Sequence, residues 1–125
     1  MRVDPAIPIL RSFDETKARE FYIDFLGFEV VFEHRFEPDT PLYMGLRLGR
    51  CELHLSEHFG DAAPGASMRI EVEDVHALCA ALNAKSYRHA RPGVQRQSWG
   101  MDDMSISDPF GNKLIFCTDI PPAQV

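Results

Sequence analysis

The groups in this chain that could hold a metal or move a proton are five histidines, three cysteines and 19 carboxylates. Their spacing decides what they can do together. His54 and His58 are four residues apart, which would make them neighbours on a helix. The residues around them read as a strand end instead, where the two stand about 13 Å apart. His34, His76 and His89 fall in separate elements. Cys51, Cys79 and Cys117 form no Cys-x-x-Cys pair, have no His-acid partners beside them, and are odd in number. They read as reduced, structural thiols rather than a disulfide framework or a nucleophile site. No glycine-rich phosphate loop occurs. Glu52, Glu57, Asp102 and Asp103 are possible general bases, but with so many carboxylates the residue type alone singles none of them out.

The aromatic residues say more. Phe36 sits in a charged loop, Glu33-His34-Arg35-Phe36-Glu37-Pro38, where an apolar ring has little reason to be solvated. Trp99, the only Trp, lies between Ser98 and Gly100, outside any periodic pattern. It either lines a groove or plugs the core; a ring with one N–H donor suits the first use. Phe32 reads as core. The net charge of −6 disfavours nucleic-acid binding, which needs clustered cations. It suits solubility first and a cationic ligand second. No apolar run approaches a membrane span, and Met1-Arg2-Val3-Asp4-Pro5 lacks a signal's apolar core, so a cytoplasmic location is expected.

These side chains must be carried by a repeated set of elements. Ala6 to Leu10 reads as a short strand. Ser12 to Glu15 matches a capping box with Ser12 as cap. Ala18, Phe21, Tyr22, Phe25 and Leu26 recur at helical spacing, and Gly27 stands where a helix ends. Strands are expected over Phe28 to Phe32, Tyr43 to Leu48 and Cys51 to Glu57. Residues 58–66, with Gly60, Pro64 and Gly65, form a linker. The order then repeats: a strand over Ser67 to Val72, a helix capped by Asp74, a mobile connection from Ser86 to Gly93, and strands over Met101 to Ser107 and Lys113 to Thr118. The second strand of this half is the hardest to place, and the tail from Ile120 to Val125 is expected to fray.

Alternation along the strands gives each sheet two unlike faces. Leu53 and Leu55 oppose Glu52, His54 and Ser56. Met44, Leu46 and Leu48 oppose Tyr43, Gly45 and Arg47. Met68, Ile70 and Val72 oppose Ser67, Arg69 and Glu71. The polar, aromatic-bearing face is either the solvated side of an antiparallel sheet or the wall of a ligand groove.

Pro8-Ile9-Leu10, Phe21-Tyr22, Leu26-Gly27-Phe28, Leu53-His54-Leu55-Ser56, Trp99-Gly100 and Asp108-Pro109-Phe110-Gly111-Asn112 occur in that order across the chain. Together they resemble the superfamily of glyoxalase I, the extradiol dioxygenases and the bleomycin-resistance proteins (vicinal oxygen chelate), and the last group most. The resemblance implies an α+β fold, with two βαβββ modules forming a curved mixed sheet and the helices on its convex face. It implies a single domain over 1–125: module one at about 5–57, the linker 58–66, and module two at about 67–118. Enzymes of the superfamily hold a divalent metal with one ligand from each of four strands. Carried over, those positions are Ile7, His54, Ser67 and Ile115, and only His54 is a competent ligand.

The resemblance therefore implies a binding protein without metal or cofactor. It would be a homodimer, with exchange of the first strand about Pro5 or Pro8, that sequesters a cationic, aromatic antibiotic of the bleomycin type. Trp99 and Phe36 would stack on the ligand, and Tyr43, Glu52, His54 and Ser56 would supply polar contacts. The alternative is a metal-dependent lyase or dioxygenase of the same superfamily, with its ligands at other positions.

Overall fold

The computed structural model describes residues 1–121. The chain divides into two compact units between Ala66 and Ser67. The first runs β1 (Ile9–Arg11), α1 (Glu15–Ala18, continued as a π-helix over Arg19–Phe25), β2 (Glu29–His34), β3 (Tyr43–Leu48) and β4 (Cys51–Ser56). The second runs β5 (Ser67–Glu71), α2 (Val75–Ala84), β6 (Gln95–Arg96), β7 (Met101–Ser107) and β8 (Lys113–Asp119). This is the α+β fold of two βαβββ modules, with its strands hydrogen-bonded as two four-stranded mixed sheets, β1-β4-β3-β2 and β5-β8-β7-β6. In each sheet the first strand pairs parallel with the last, and the remaining pairs are antiparallel.

Module one is built on its helix. Phe21, Tyr22 and Phe25 are at most 2% exposed, and their rings meet edge-on or tilted. Three bulky neighbours need a wide buried face. The helix supplies it by loosening to the π pattern, with the Leu26 N–H donating to the Phe21 carbonyl five residues back. Gly27, at φ +88°, ends the helix in the left-handed region that glycine takes without a Cβ penalty. Arg19 ties the helix to the sheet by bonding both Glu15 and Glu33 of β2. The buried row Met44, Leu46, Leu53 and Leu55 completes this core.

The helix starts later than the capping box predicts. The Ser12 N–H donates to the Ser56 carbonyl, which extends the sheet by one residue, so the cap falls to Asp14, whose carboxylate accepts from the Lys17 N–H. The first strand is also shorter than Ala6 to Leu10. Pro8 has no N–H to give, and pairing begins with its carbonyl accepting from the His54 N–H at 2.9 Å.

Module two repeats the plan with a regular α-helix, capped as expected by Asp74, whose carboxylate accepts from His76 and Ala77. Its β7–β8 turn is held by the Asp108 carboxylate, which accepts from the backbone of Phe110 and Asn112 and from the Asn112 side-chain amide, each at 2.8 Å. Ile120, expected to fray, is instead buried, with its N–H donating to Gly100 at 2.9 Å. The rest of that expected tail, residues 122–125, lies outside the described residues.

Candidate functional site

In module one, β-register collects one set of side chains on the face away from the helix. β3 and β4 pair Tyr43 with Ser56, Gly45 with His54 and Arg47 with Glu52. β1 sets Ile9 beside His54. β2 sets His34 opposite Tyr43 and Phe32 opposite Gly45.

A hydrogen-bonded chain runs along this face. The Tyr43 hydroxyl lies 2.7 Å from His54 Nδ1, His54 Nε2 lies 3.0 Å from Glu52 Oε2, and Arg47 donates to Glu52 Oε1 at 3.2 Å. The bond to His54, then the one from Arg47, holds the Glu52 carboxyl below the ordinary range. Burial pushes the Tyr43 hydroxyl up, and the negative charge of Asp61 adds to that.

Phe32 forms the apolar part of the face. Its ring stacks on Tyr43 (centroids 6.0 Å, 15°) and meets His54 edge-on (5.1 Å, 85°). It does so because position 45 is glycine: a Cβ there would stand 2.3 Å from the Phe32 ring. Phe32 is 39% exposed and not in the core. The reason is a bulge in β2. Val30 pairs with Leu46 and Phe32 with Gly45, so two residues of β2 oppose one of β3 and the alternation flips. Without the bulge Phe32 would follow Phe28 and Val30 to the other face.

Of the residues singled out in the sequence, Tyr43, Glu52 and His54 come together in this chain. Ser56 shares their face but is fully buried, its hydroxyl donating to Asp61 and accepting from the His58 N–H. Phe36, 76% exposed, sits edge-on to His34 and to His58. His34 is the residue opposite Tyr43 in register, so this second ring cluster adjoins the first. Trp99 belongs to the second unit. It stands 63% exposed in module two, on a turn that reverses at Gly100 with φ +87°. Arg47 and Asp61 are members that the sequence does not single out, and Phe32, which reads as core, is a third; the glycine in mid-strand is the signal for Phe32.

The corresponding face of module two is different. Arg69 bonds both oxygens of Asp103, and Arg69 and Ser105 flank Ile115 in register. Asp102, the preceding residue of β7 and so on the opposite, helix-bearing face, is bound by Arg96 and by His76 of α2, which hold its carboxyl below the ordinary range.

A divalent metal does not fit the four positions expected for one. Ile7 and Ile115 have no donor atom. Ser67, the third position, is a weakly basic hydroxyl at best. Both ring nitrogens of His54 are already hydrogen-bonded, and its neighbour on β1 is Ile9. Among the described residues no three His, Cys, Asp or Glu side chains are grouped to hold a metal ion. Nor is any described helix long and apolar enough to cross a membrane.

Comparison with known proteins gives the same architecture. The family model described as "Glyoxalase superfamily protein" matches residues 1–121. A bleomycin resistance determinant encoded on the transposon Tn5 is 25% identical, with a TM-score of 0.72 over 94% of this chain and 98% of that one. A bleomycin-binding protein, solved in complex with bleomycin, is also 25% identical, with a TM-score of 0.65 over 94% and 99%. A glyoxalase family protein from Enterococcus faecalis, 20% identical with a TM-score of 0.68 over 91% and 96%, shares the fold. No curated protein matches the chain.

Proposed function

The chain belongs to the glyoxalase superfamily, and within it we propose a metal-free, dimeric protein that binds and sequesters a cationic, aromatic antibiotic of the bleomycin type in the cytoplasm. The observation that carries this reading is the face of Phe32, Tyr43 and His54 in module one. Partly exposed rings lie there beside hydrogen-bonding groups. Rings of this kind take up planar, cationic heteroaromatic groups by stacking and cation–π attraction. The net charge of −6 draws cations toward the surface. The likeness to a bleomycin-binding protein at 25% identity names the drug class to try first.

Binding of this kind needs no bond to be made or broken. Affinity comes from stacked area and desolvated hydrogen bonds, with the ring faces held ready by the β2 bulge rather than ordered by the ligand. In this reading Phe36 and Trp99 add further ring faces, and a second subunit completes the groove, with Pro5 or Pro8 as hinge for exchange of the first strand.

The test is a fluorescence titration of Trp99, the only Trp, with copper-free bleomycin and a simple cationic peptide as control. Saturable quenching near one drug per chain, absent with the control, supports the reading. A folded dimer whose fluorescence does not change, and which does not protect drug-exposed cells, overturns it.

A further inference from the structure

The hydrogen-bonded chain on module one has a direction, and the direction determines what the face can bind. Glu52 is ionised, bridging Arg47 and His54, and an ionised carboxylate only accepts. The His54 nitrogen facing it, Nε2, must therefore carry a proton. In the neutral imidazole this leaves Nδ1 as the acceptor, and among the described residues the group it meets is the Tyr43 hydroxyl at 2.7 Å. Tyr43 then donates its one proton inward. Its oxygen, on a partly exposed side chain, offers only lone pairs outward.

We propose that Glu52, acting through His54, fixes the Tyr43 hydroxyl as an outward-facing hydrogen-bond acceptor, and so makes this face selective for protonated nitrogen groups (ammonium, amidinium, guanidinium) over anions. Glu52 is here a positioning residue and Tyr43 the contact. The inference rests on reading this face as a small-molecule site and deepens it by naming the ligand group recognised.

Two further observations point the same way. The ring of Phe32 lies stacked beside Tyr43, and cations are held over aromatic faces. The charges around the oxygen leave a negative balance. Arg47 is neutralised by Glu52, while Asp61, bonded to Ser56, is close enough to push the Tyr43 hydroxyl up. From β1 the only neighbour of His54 in register is the apolar Ile9, and from β2 the residues facing this chain are Phe32 and His34.

The arrangement can be read directly in the intact, ligand-free protein. Two-bond hydrogen–nitrogen correlation spectra of the imidazoles, recorded at pH 8.5, should show His54 neutral and protonated at Nε2. In Glu52→Gln the single amide oxygen goes to Arg47 and the amide NH2 faces His54. The imidazole should switch to the Nδ1–H form, reversing Tyr43. Benzylammonium and benzoate then serve as probes of similar size and opposite charge. The wild type should bind benzylammonium at this face at least about tenfold more tightly than benzoate, the worth of one hydrogen bond to a charged group. Glu52→Gln should lose that preference. Tyr43→Phe should lose it too while keeping His54 in the Nε2–H form, which a merely structural role for Tyr43 would not produce.

An Nδ1–H or doubly protonated His54 in the wild type overturns the inference. So does benzoate binding as tightly as benzylammonium, or no benzylammonium binding at this face. Failure of copper-free bleomycin to bind would remove the drug reading alone, because the tautomer and the preference between the two probes are measured without it.

Discussion

The two modules are the same scaffold with different faces. Aligned on their buried pairs, Met44 opposite Leu55 in module one corresponds to Met104 opposite Phe116 in module two. Each of these residues is at most 1% exposed. One step along, Gly45 opposite His54 corresponds to Ser105 opposite Ile115, and Tyr43 to Asp103. Where module one has a hydrogen-bonded run from Tyr43 to Arg47 under an exposed Phe, module two has a closed Arg69–Asp103 ion pair. The buried half of each strand is repeated because the fold requires it. The other half is free to differ: among the described residues module one sets rings beside hydrogen-bonding groups there, and module two closes an ion pair.

The comparison can be broken most forcefully in the shared core. Met44→Ala and Met104→Ala should each cost about 2–5 kcal/mol, as cavities at equivalent buried sites do. Urea denaturation in which one cost falls well below the other would deny the equivalence. The turns should differ next. Asp108→Ala removes the acceptor for three bonds at 2.8 Å in a buried turn. It should cost about 2–3 kcal/mol, while Arg50→Ala in the exposed β3–β4 turn of module one should stay within about 0.5 kcal/mol; thermal melting separates them.

His54→Ile writes the residue of module two into module one. It should reduce affinity for copper-free bleomycin by about tenfold or more while changing stability by less than about 1.5 kcal/mol. Calorimetric titration with a parallel melt checks both. Gly45→Ala should act the same way by expelling the Phe32 ring.

The smallest effect is on pH. The Glu52 and Asp102 carboxyls are both held below the ordinary range by hydrogen bonds, from His54 then Arg47 and from Arg96 then His76 respectively. A depressed pKa stabilises the fold fully above the unfolded value and loses that contribution as pH falls through the folded value. Glu52→Gln and Asp102→Asn should therefore each flatten the acid limb of the stability profile, and converge with the wild type at the lowest pH. Urea midpoints between pH 7 and pH 3 check this.

The parts of the fold set by short-range pattern could be read from the sequence. Tyr43–Leu48 and Met101–Ser107 match their expected bounds residue for residue, as does the Asp74 cap. Gly27 ends the helix as expected. Alternation placed Glu52 and His54 on one face with Tyr43, and their hydrogen bonds follow from that register. What could not be read depends on pairing between strands. Ser12 was lost to the helix cap because Ser56, 44 residues on, accepts its N–H. Phe32 was assigned to the core because a bulge shifts parity by one, and nothing local in Glu29-Val30-Val31-Phe32 marks it. The superfamily's motifs give the scaffold and its element order. The chemistry of the face depends on residues outside those motifs.

The most direct test of the claim that module one carries the binding face is an amide-shift map of the full chain titrated with copper-free bleomycin. The account predicts saturable shifts at residues 32, 34, 36, 43–47 and 52–54, with Trp99 moving as the added ring face, and loss of the module-one shifts in Gly45→Ala. Saturable binding with those residues unmoved would contradict it.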